Sequence, residues 1–372
     1  MRILYDHQAF TLQNTGGITL YFYELLKYLR TVQGVETTTL LGYSSTKWPL
    51  QSQTAPPNRL VHWGPRPVAS GMATFVLNEL LLNPLVVVSG QFDVYHNTLY
   101  RFMPGARATA RVATHHDCVH ERFPELFPDS GRIVRTKARM FHEADLILCV
   151  SSSSRDDLLH FYDVDPARTL VVHNGVSPPQ RTSSGAGALL KVARRPFLLY
   201  VGIRASYKNF DGLLTAFARS GLHRHFDLLA LGGGPLNAAE QAQIALLGLS
   251  EQVISIPYAP PDLLAEAYAQ ATLFVYPSLY EGFGIPPLEA MASETPALVA
   301  RSPATTEVCG NAAIFFEPQD KADFAAKLIA AVEDEPLRRQ HVDAGLALIP
   351  RYKWTRTAEQ TLAAYRSLFS TR

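Results

Sequence analysis

Residues 273–291 read LFVYPSLYEGFGIPPLEAM, and this stretch predicts a strand, a loop and a helix in succession. The apolar run at 273–276 is typical of a buried strand, and the proline, serine and glycines that follow it indicate a loop. Pro286 and Pro287 favour a helix start, because the first turn of a helix leaves its N–H groups unpaired anyway. A strand that leads through a loop into a helix is the repeating unit of a helix-covered parallel sheet.

Two carboxylates bracket this loop. We expect Glu281 at the carboxyl end of the strand and Glu289 in the first turn of the helix. The backbone N–H groups between them can bind an anion, and the carboxylates can accept hydrogen bonds from sugar or ribose hydroxyls. The stretch therefore favours a ligand with both phosphate and hydroxyl groups, such as a nucleotide sugar. An acidic first turn that complements the helix dipole would explain Glu289 equally well.

Short apolar runs alternate with amphipathic helical stretches along all 372 residues, a length that suits two domains. Most of the runs are apolar on both faces and rich in Val, Ile and Leu, which predicts the α/β class with parallel sheets covered by helices. The strands are expected at Arg2–Tyr5, Thr37–Leu41, Leu60–Trp63, Val94–His96, Val112–His115, Leu146–Val150, Leu170–His173, Phe197–Val201, Phe226–Leu231, Val253–Ile256, Leu273–Tyr276, Ala297–Ala300 and Ala313–Phe316.

A polar stretch rich in Pro, Gly and Ser separates the two halves and predicts an interdomain linker. We expect a first domain at residues 1–178, a linker at 179–195, a second domain at 196–351 and a last helix at 352–372. Open parallel sheets bind ligands in a crevice at the strand ends, so a ligand is expected in the cleft between the domains.

Composition excludes several classes of protein. A formal net charge of +1 gives no support for nucleic-acid binding. Cys118, Cys149 and Cys309 are scattered and odd in number, which favours a reducing compartment. Met1-Arg2 leads directly into a short strand, and no uninterrupted apolar stretch of 18 residues occurs. A cytoplasmic location is therefore expected.

Two cations follow the strand that ends at Gly202. Arg204 and Lys208 lie in the loop before the next helix, where they could hold the oxygens of a diphosphate. Solvated surface cations are the alternative, but the carboxyl end of a domain's first strand favours binding. Gly233 lies among three consecutive glycines at the end of the following strand, where the backbone can approach a ligand closely.

Two adjacent histidines and an aspartate, His115, His116 and Asp117, end a strand of the first half and suggest a metal. Neighbouring strand residues point to opposite faces, so His115 and His116 would rarely share one ion. No metal site is predicted, and His115 is interpreted as a core residue.

The run PSLYEGFGIPPLEAM at 277–291 resembles the signature of the retaining GT-B glycosyltransferases, in particular sequence family 4. The resemblance extends from about Asp6 to Pro318 and includes the hinge-like Asn174-Gly175-Val176. It implies a GT-B fold with two Rossmann-like domains that face each other across a cleft, the last helix packing back on the first domain. It also implies transfer of a hexose from a nucleotide-diphosphate sugar, with retention and without a metal.

The resemblance also implies roles for individual residues. Lys208 matches a phosphate-binding lysine by its distance from Gly202, and His116 aligns with a histidine that hydrogen-bonds the donor sugar. The catalytic group implied is His116, Glu281, Arg204 and Lys208. The donor-binding residues implied are Gly16, Gly17, Gly202, Gly233, Ser278, Gly282, Phe283, Gly284, Ile285 and Glu289.

The loops at 204–210 and around Asp117 look most like those of mannosyltransferases of bacterial surface-polysaccharide assembly. This favours GDP-mannose as donor, with UDP-glucose or UDP-N-acetylglucosamine (UDP-GlcNAc) next, and a glycan or lipid-linked acceptor; no cofactor is expected. Three alternatives stay open: a nucleotide-sugar epimerase of the same architecture, a non-catalytic donor-binding subunit of a glycan-assembly complex, and a two-domain solute-binding protein. The absence of an export signal counts against the last.

A peripheral contact with the inner face of the plasma membrane also stays open. The apolar segment Met72–Val88 and the basic run of Arg132, Arg135, Lys137 and Arg139 could rest on a membrane. A core helix and a solvated helix face are the favoured interpretations.

Overall fold

A computed structural model describes residues 1–50, 57–68, 70–177, 193 and 195–370. The predicted linker at 179–195 therefore lies outside the described residues, apart from Ala193 and Arg195. The chain divides into two compact units, one of Met1–Gly175 with Trp354–Arg372 and the other of Val176–Lys353.

In the described part of the first unit, seven strands form a sheet in the order β3-β2-β1-β4-β5-β6-β7, and every pair is parallel. The strands are β1 (Arg2–Tyr5), β2 (Glu36–Tyr43), β3 (Arg59–Gly64), β4 (Gln91–His96), β5 (Arg107–His115), β6 (Leu146–Cys149) and β7 (Thr169–Val171). The helices are α1 (Gln8–Leu12), α2 (Gly17–Leu29), α3 (Gly71–Val88), α4 (Val119–Arg122), α5 (Ser130–Glu143) and α6 (Ser152–Phe161).

In the described part of the second unit, six strands form a second parallel sheet in the order β10-β9-β8-β11-β12-β13. The strands are β8 (Phe197–Val201), β9 (Asp227–Leu231), β10 (Val253–Ile256), β11 (Leu273–Tyr276), β12 (Ala297–Ala300) and β13 (Ile314–Phe316). The helices are α7 (Phe210–Ser220), α8 (Ala238–Leu246), α9 (Pro261–Gln270), α10 (Ile285–Ala292), α11 (Pro303–Cys309), α12 (Lys321–Glu333) and α13 (Glu335–Leu348).

The predicted α/β class with two parallel sheets is confirmed. Central strands such as β6, β11 and β12 are buried at every residue, because helices cover both faces of the sheet. Strand β5 begins at Arg107, well before the predicted start at Val112. Its first half mixes arginine and threonine with alanine and is mostly half-buried, so hydrophobicity alone does not reveal it.

The last helix, α14 (Trp354–Ser370), packs in the first unit. Its buried residues recur at helical spacing, namely Trp354, Thr357, Ala358, Thr361, Leu362, Ala364 and Tyr365. The Tyr365 hydroxyl lies 2.9 Å from that of Tyr5 and 2.6 Å from His96 Nδ1. These buried hydrogen bonds join the end of the chain to strands β1 and β4.

Both sheets reverse their strand order beside the first strand of the unit, between β1 and β4 and between β8 and β11. Loops that leave neighbouring strands at such a switch point go to opposite faces and open a crevice at the carboxyl ends. In the second unit these two loops carry Lys208 and Glu281.

Candidate active site

The 273–291 stretch forms the strand, loop and helix that its sequence predicts, as β11 and α10. Gly284 caps the helix at φ 99°, a conformation that costs glycine little and strains other residues. Pro286 and Pro287 lack N–H groups, so the anion site at this helix start is limited to the donors before them. Glu289 lies in the second turn of α10, not in the first turn as predicted, because the helix begins at Ile285.

Lys208 and Glu281 form an ion pair at the switch point of the second sheet. Lys208 Nζ lies 2.6 Å from Glu281 Oε1, and the two side chains are 16% and 13% exposed. The ammonium group also lies 5.1 Å from the ring centre of Tyr207 and 5.8 Å from that of Tyr276. Two predicted catalytic groups from separate loops are therefore brought together.

Backbone geometry holds the two loops in place. Leu279 donates its backbone N–H to the Tyr207 carbonyl at 2.8 Å, which joins the loop after β11 to the loop after β8. Asn209 ends the first loop in a left-handed conformation, at φ 54°. A Cβ on Gly212 would lie 2.2 Å from the Asn209 side-chain oxygen, so a larger residue there would require the Asn209 side chain to move.

Arg204 does not take the phosphate-binding position that the sequence predicts. Its side chain is only 3% exposed, and Nε donates to Glu240 Oε1 at 3.0 Å. Nη1 donates to the Gly232 carbonyl at 2.6 Å and Nη2 to that of Gly234 at 2.8 Å. These bonds turn the guanidinium into the protein in this conformation, and the clamp of two cations stays a prediction.

The three glycines after β9 explain why the arginine turns inward. Gly232, Gly233 and Gly234 have φ values of 91°, 74° and 76°, so their carbonyls converge on one side. A Cβ on Gly233 would lie 2.8 Å from Arg204 Nη1 and 3.0 Å from the Gly202 carbonyl oxygen. The predicted donor-binding glycines Gly202 and Gly233 are thus neighbours at the ends of β8 and β9.

Glu289 has a partner that the sequence did not reveal. The Tyr268 hydroxyl, on α9, donates to Glu289 Oε2 at 2.9 Å, which leaves Oε1 for a ligand. Burial raises the pKa of Glu289 to about 7, while the hydrogen bond from Tyr268 opposes the shift. A tyrosine in a helix of ordinary composition carries no sequence signal for this role.

Most of the other predicted residues of this loop are buried. The Phe283 ring is 4% exposed and lies 5.8 Å from the Tyr352 ring in an edge-on contact, so it serves packing. Ser278 and Gly282 are buried in the loop between β11 and α10. Ile285 is the first residue of α10.

In the first unit, His116 follows directly after β5. Its ring lies 5.5 Å from that of Tyr21, nearly perpendicular to it. Burial lowers the pKa of His116 to about 4, so the imidazole is neutral at physiological pH. Its Nε2 is buried and makes no hydrogen bond within the described ranges.

Lys137 supports the segment after His116, and its environment differs from the predicted basic surface. Its side chain is 4% exposed, with Nζ 2.6 Å from Glu121 Oε1. The same ammonium donates to the Asp117 carbonyl at 2.9 Å. The sequence carried a signal for this burial, because Lys137 falls in register with Met140 and Phe141, which are buried on the same face of α5.

His115 lies in the core, 5.3 Å from the ring of Phe141. Its Nε2 is 3.5 Å from Cys118 Sγ. Burial raises the pKa of the Cys118 thiol far above its ordinary value, so that thiol is no nucleophile at neutral pH. Among the described residues, no group of three His, Cys, Asp or Glu side chains could hold a metal.

Gly16 and Gly17 begin α2. Gly16 is extended at φ 167°, and the Thr19 hydroxyl donates to its carbonyl at 3.0 Å. Apart from its chain neighbours and the backbone of its own helix, no described atom lies within 4 Å of the position that a Cβ on Gly17 would occupy. The start of α2 is therefore open at the carboxyl edge of the first sheet.

Comparison with known proteins identifies the family. Residues 15–179 match the profile of Glycosyltransferase Family 4, and residues 187–346 match that of Glycosyl transferases group 1. The chain belongs to the family 4 glycosyltransferases. As a family, these enzymes are retaining and metal-independent, and they transfer a sugar from a nucleotide-sugar donor. The chain is a hexosyltransferase of this family.

Relatives and solved structures agree with this assignment. O-antigen chain mannosyltransferase B of Escherichia coli is 29% identical over 287 residues, which cover 74% of each chain. Sucrose-phosphate synthase from Thermosynechococcus elongatus has a TM-score of 0.77 at 18% identity and full coverage of both chains. The Anabaena protein HepE, solved with UDP and glucose, has a TM-score of 0.75 at 16% identity, covering 99% of this chain and 100% of that one. The GT-B fold is thereby confirmed.

Proposed function

We propose that this glycosyltransferase moves mannose from GDP-mannose to a hydroxyl of a glycan or lipid-linked acceptor in polysaccharide or glycoconjugate biosynthesis. The similarity to an O-antigen chain mannosyltransferase supports the choice of sugar. The pairing of Lys208 with Glu281 at the switch point, 2.6 Å apart, carries the proposal for the site.

Lys208 is proposed to stabilise the leaving diphosphate. Negative charge develops on that group as the bond to the sugar breaks, and a preorganised cation there lowers the barrier. Before the donor binds, Glu281 holds the ammonium in place at 2.6 Å. A carboxylate has several acceptor positions, so Glu281 can still accept from a sugar hydroxyl while it pairs with Lys208 and Tyr276.

Glu289 is proposed to bind the ribose. Tyr268 occupies Oε2, so Oε1 faces the ribose hydroxyls as an acceptor. A carboxylate accepts two hydroxyl donors better when it is ionised, and the pKa near 7 makes that state depend on pH. His116, neutral and with no hydrogen bond at Nε2 among the described residues, is proposed to hydrogen-bond the sugar.

Arg204 is proposed to act indirectly, by holding the glycine loop in place without contacting the donor. Its bonds to the Gly232 and Gly234 carbonyls fix the glycine loop whose backbone would face the nucleotide. The charge that balances the diphosphate then comes from Lys208 and the backbone N–H groups at the start of α10.

The deciding experiment combines binding with product analysis. In a thermal-shift panel of GDP, UDP, GDP-mannose, UDP-glucose and UDP-GlcNAc, a ligand specific for the native state raises Tm with its affinity. We expect the largest shift with GDP-mannose, and release of GDP only when an acceptor is present. A larger shift with UDP-glucose would overturn the donor proposal. Conversion of the donor without an acceptor would instead identify an epimerase.

A further inference from the structure

Helix α3 buries polar side chains and exposes large apolar ones. Its buried side chains are Thr74, Asn78, Glu79, Leu82 and Val86, while a larger set of apolar side chains points outward. The outward set comprises Met72, Val76, Leu80, Leu81, Leu85, Val87 and Val88, with Leu80 68% and Val88 79% exposed. Among the described residues, α3 is the one helix long and apolar enough to span a membrane by length and composition. The favoured interpretation of this segment as a core helix is therefore wrong.

The polar residues on the inner side are satisfied by the protein. Asn78 Nδ2 donates to Thr11 Oγ1 at 2.8 Å, and Asn78 Oδ1 accepts from the Tyr43 backbone at 2.8 Å. Glu79 Oε1 lies 3.1 Å from His7 Nε2, and Glu79 Oε2 lies 2.6 Å from Arg101 Nη2. Because this network fixes which side of α3 faces the sheet, the helix cannot roll to hide its apolar side.

The topology places the positively charged helix α5 on the same face of the first sheet as α3. The connections from β3 to β4 and from β5 to β6 run in the same direction along the sheet. Right-handed crossovers then place α3 and α5 on one face. Helix α5 exposes Arg132, Arg135 and Arg139 there, whereas Lys137 is buried.

We propose that α3 and α5 together form a surface that docks on an anionic lipid bilayer. The outer side of α3 would enter the acyl boundary, and the three arginines would meet lipid phosphates. That outer side is aliphatic and lacks the aromatic and arginine anchors typical of protein interfaces.

The test is flotation of the full chain with vesicles of phosphatidylcholine, alone or mixed with phosphatidylglycerol. We expect the protein to float with the mixed vesicles and less with the neutral ones. Leu80→Glu/Val88→Glu should weaken binding to both vesicle types, by roughly tenfold or more. Leu246→Glu is the matched control, because Leu246 is 87% exposed in the second unit and should not affect flotation.

The charge contribution is tested separately. Arg135→Gln/Arg139→Gln should weaken binding to the mixed vesicles by roughly fivefold for each arginine and leave binding to neutral vesicles unchanged. Arg219→Gln/Arg224→Gln, at exposed positions of the second unit, is the control.

Three results would overturn the proposal. The wild-type protein could fail to float with either vesicle type, or Leu80→Glu/Val88→Glu could float as well as wild type. The protein could also form a dimer that this double variant dissociates, without any flotation, which would identify a second copy as the partner of α3. None of these readouts depends on sugar transfer, so failure of the proposed function would remain distinguishable.

Discussion

Lys208 is the cation that the second unit brings to Glu281, in a site where both side chains are mostly shielded from water. Charge stabilisation there acts with little competition from solvent. Replacing Lys208 by Ala should lower kcat by roughly 10²–10³-fold, the effect of removing one preorganised hydrogen-bond donor from the oxyanion hole of other enzymes. Steady-state kinetics would check this, with exposed Lys327→Ala on α12 as control. Transfer at the wild-type rate would remove Lys208 from the mechanism.

Arg204 should behave differently from Lys208, because its role is to hold the glycine loop. Arg204→Lys loses the fork that bonds the Gly232 and Gly234 carbonyls and leaves these partly buried acceptors unpaired. We expect the nucleotide-free protein to lose about 2–4 kcal/mol of unfolding free energy, together with a higher donor KM. Urea unfolding of Arg204→Lys beside Lys208→Ala tests this. If Arg204 bound phosphate directly, kcat would fall and stability would not.

Glu289 should make donor binding depend on pH. Its folded-state pKa of about 7 lies above the ordinary value of 4.5, so the folded protein holds this proton more tightly than the unfolded chain does. Its contribution to stability is therefore fully present below pH 4.5 and is lost as the pH rises through 7. If the ribose needs the ionised carboxylate, the donor should bind more tightly as the pH rises through 7.

The measurement is the Kd of a nucleotide sugar, whose diphosphate does not titrate in this range, from pH 6 to pH 8. We expect the affinity for the nucleotide sugar to rise with pH, by close to tenfold for each pH unit below 7, and to level off above pH 7. Glu289→Gln keeps a partner for Tyr268 and should give a flat profile. An unchanged profile in that variant would assign the pH dependence to another group.

At the scale of elements, α5 supports the segment that follows His116. Lys137 pairs with Glu121, and their side chains are 4% and 2% exposed. Lys137→Met would leave the buried Glu121 charge without a cation and with only the Tyr162 hydroxyl as donor, so we expect a loss of about 3–5 kcal/mol of unfolding free energy. Arg135→Met, at an exposed position of the same helix, should cost less than about 0.5 kcal/mol.

Chemical denaturation compares the two variants. Adding Glu121→Gln to Lys137→Met removes the unpaired charge, so the double variant should be more stable than Lys137→Met alone. Equal stability of the Lys137→Met and Arg135→Met proteins would show that the pair contributes nothing.

At the scale of the whole molecule, hydrogen bonds join α14 to strands β1 and β4 of the first sheet. Tyr365 joins Tyr5, near the start of the sequence, to His96 through bonds of 2.9 Å and 2.6 Å. Tyr365→Phe leaves both partners buried without this hydroxyl, and we expect a cost of about 1–3 kcal/mol. Tyr28→Phe is the control, since its hydroxyl makes a 3.4 Å contact with Glu359 at an exposed site. Thermal unfolding with equal Tm for both variants would contradict this account.

Local pattern determined the elements. The strands and the 273–291 unit follow from apolar runs and from glycine and proline chemistry, which act over a few residues. The same logic located Lys208 and Glu281 at the carboxyl ends of their strands. Local pattern failed at β5, whose polar first half is specified by its pairing with β4.

Tertiary structure alone decided the partners of the polar groups. The sequence brings Arg204, Glu240 and three glycines near one another only through the folding of β8 against β9. It also could not tell that Leu80 is exposed, because hydrophobicity predicts burial only on average. Which side of a helix faces the sheet depends on hydrogen bonds such as those of Asn78 and Glu79, whose partners lie far away in the chain.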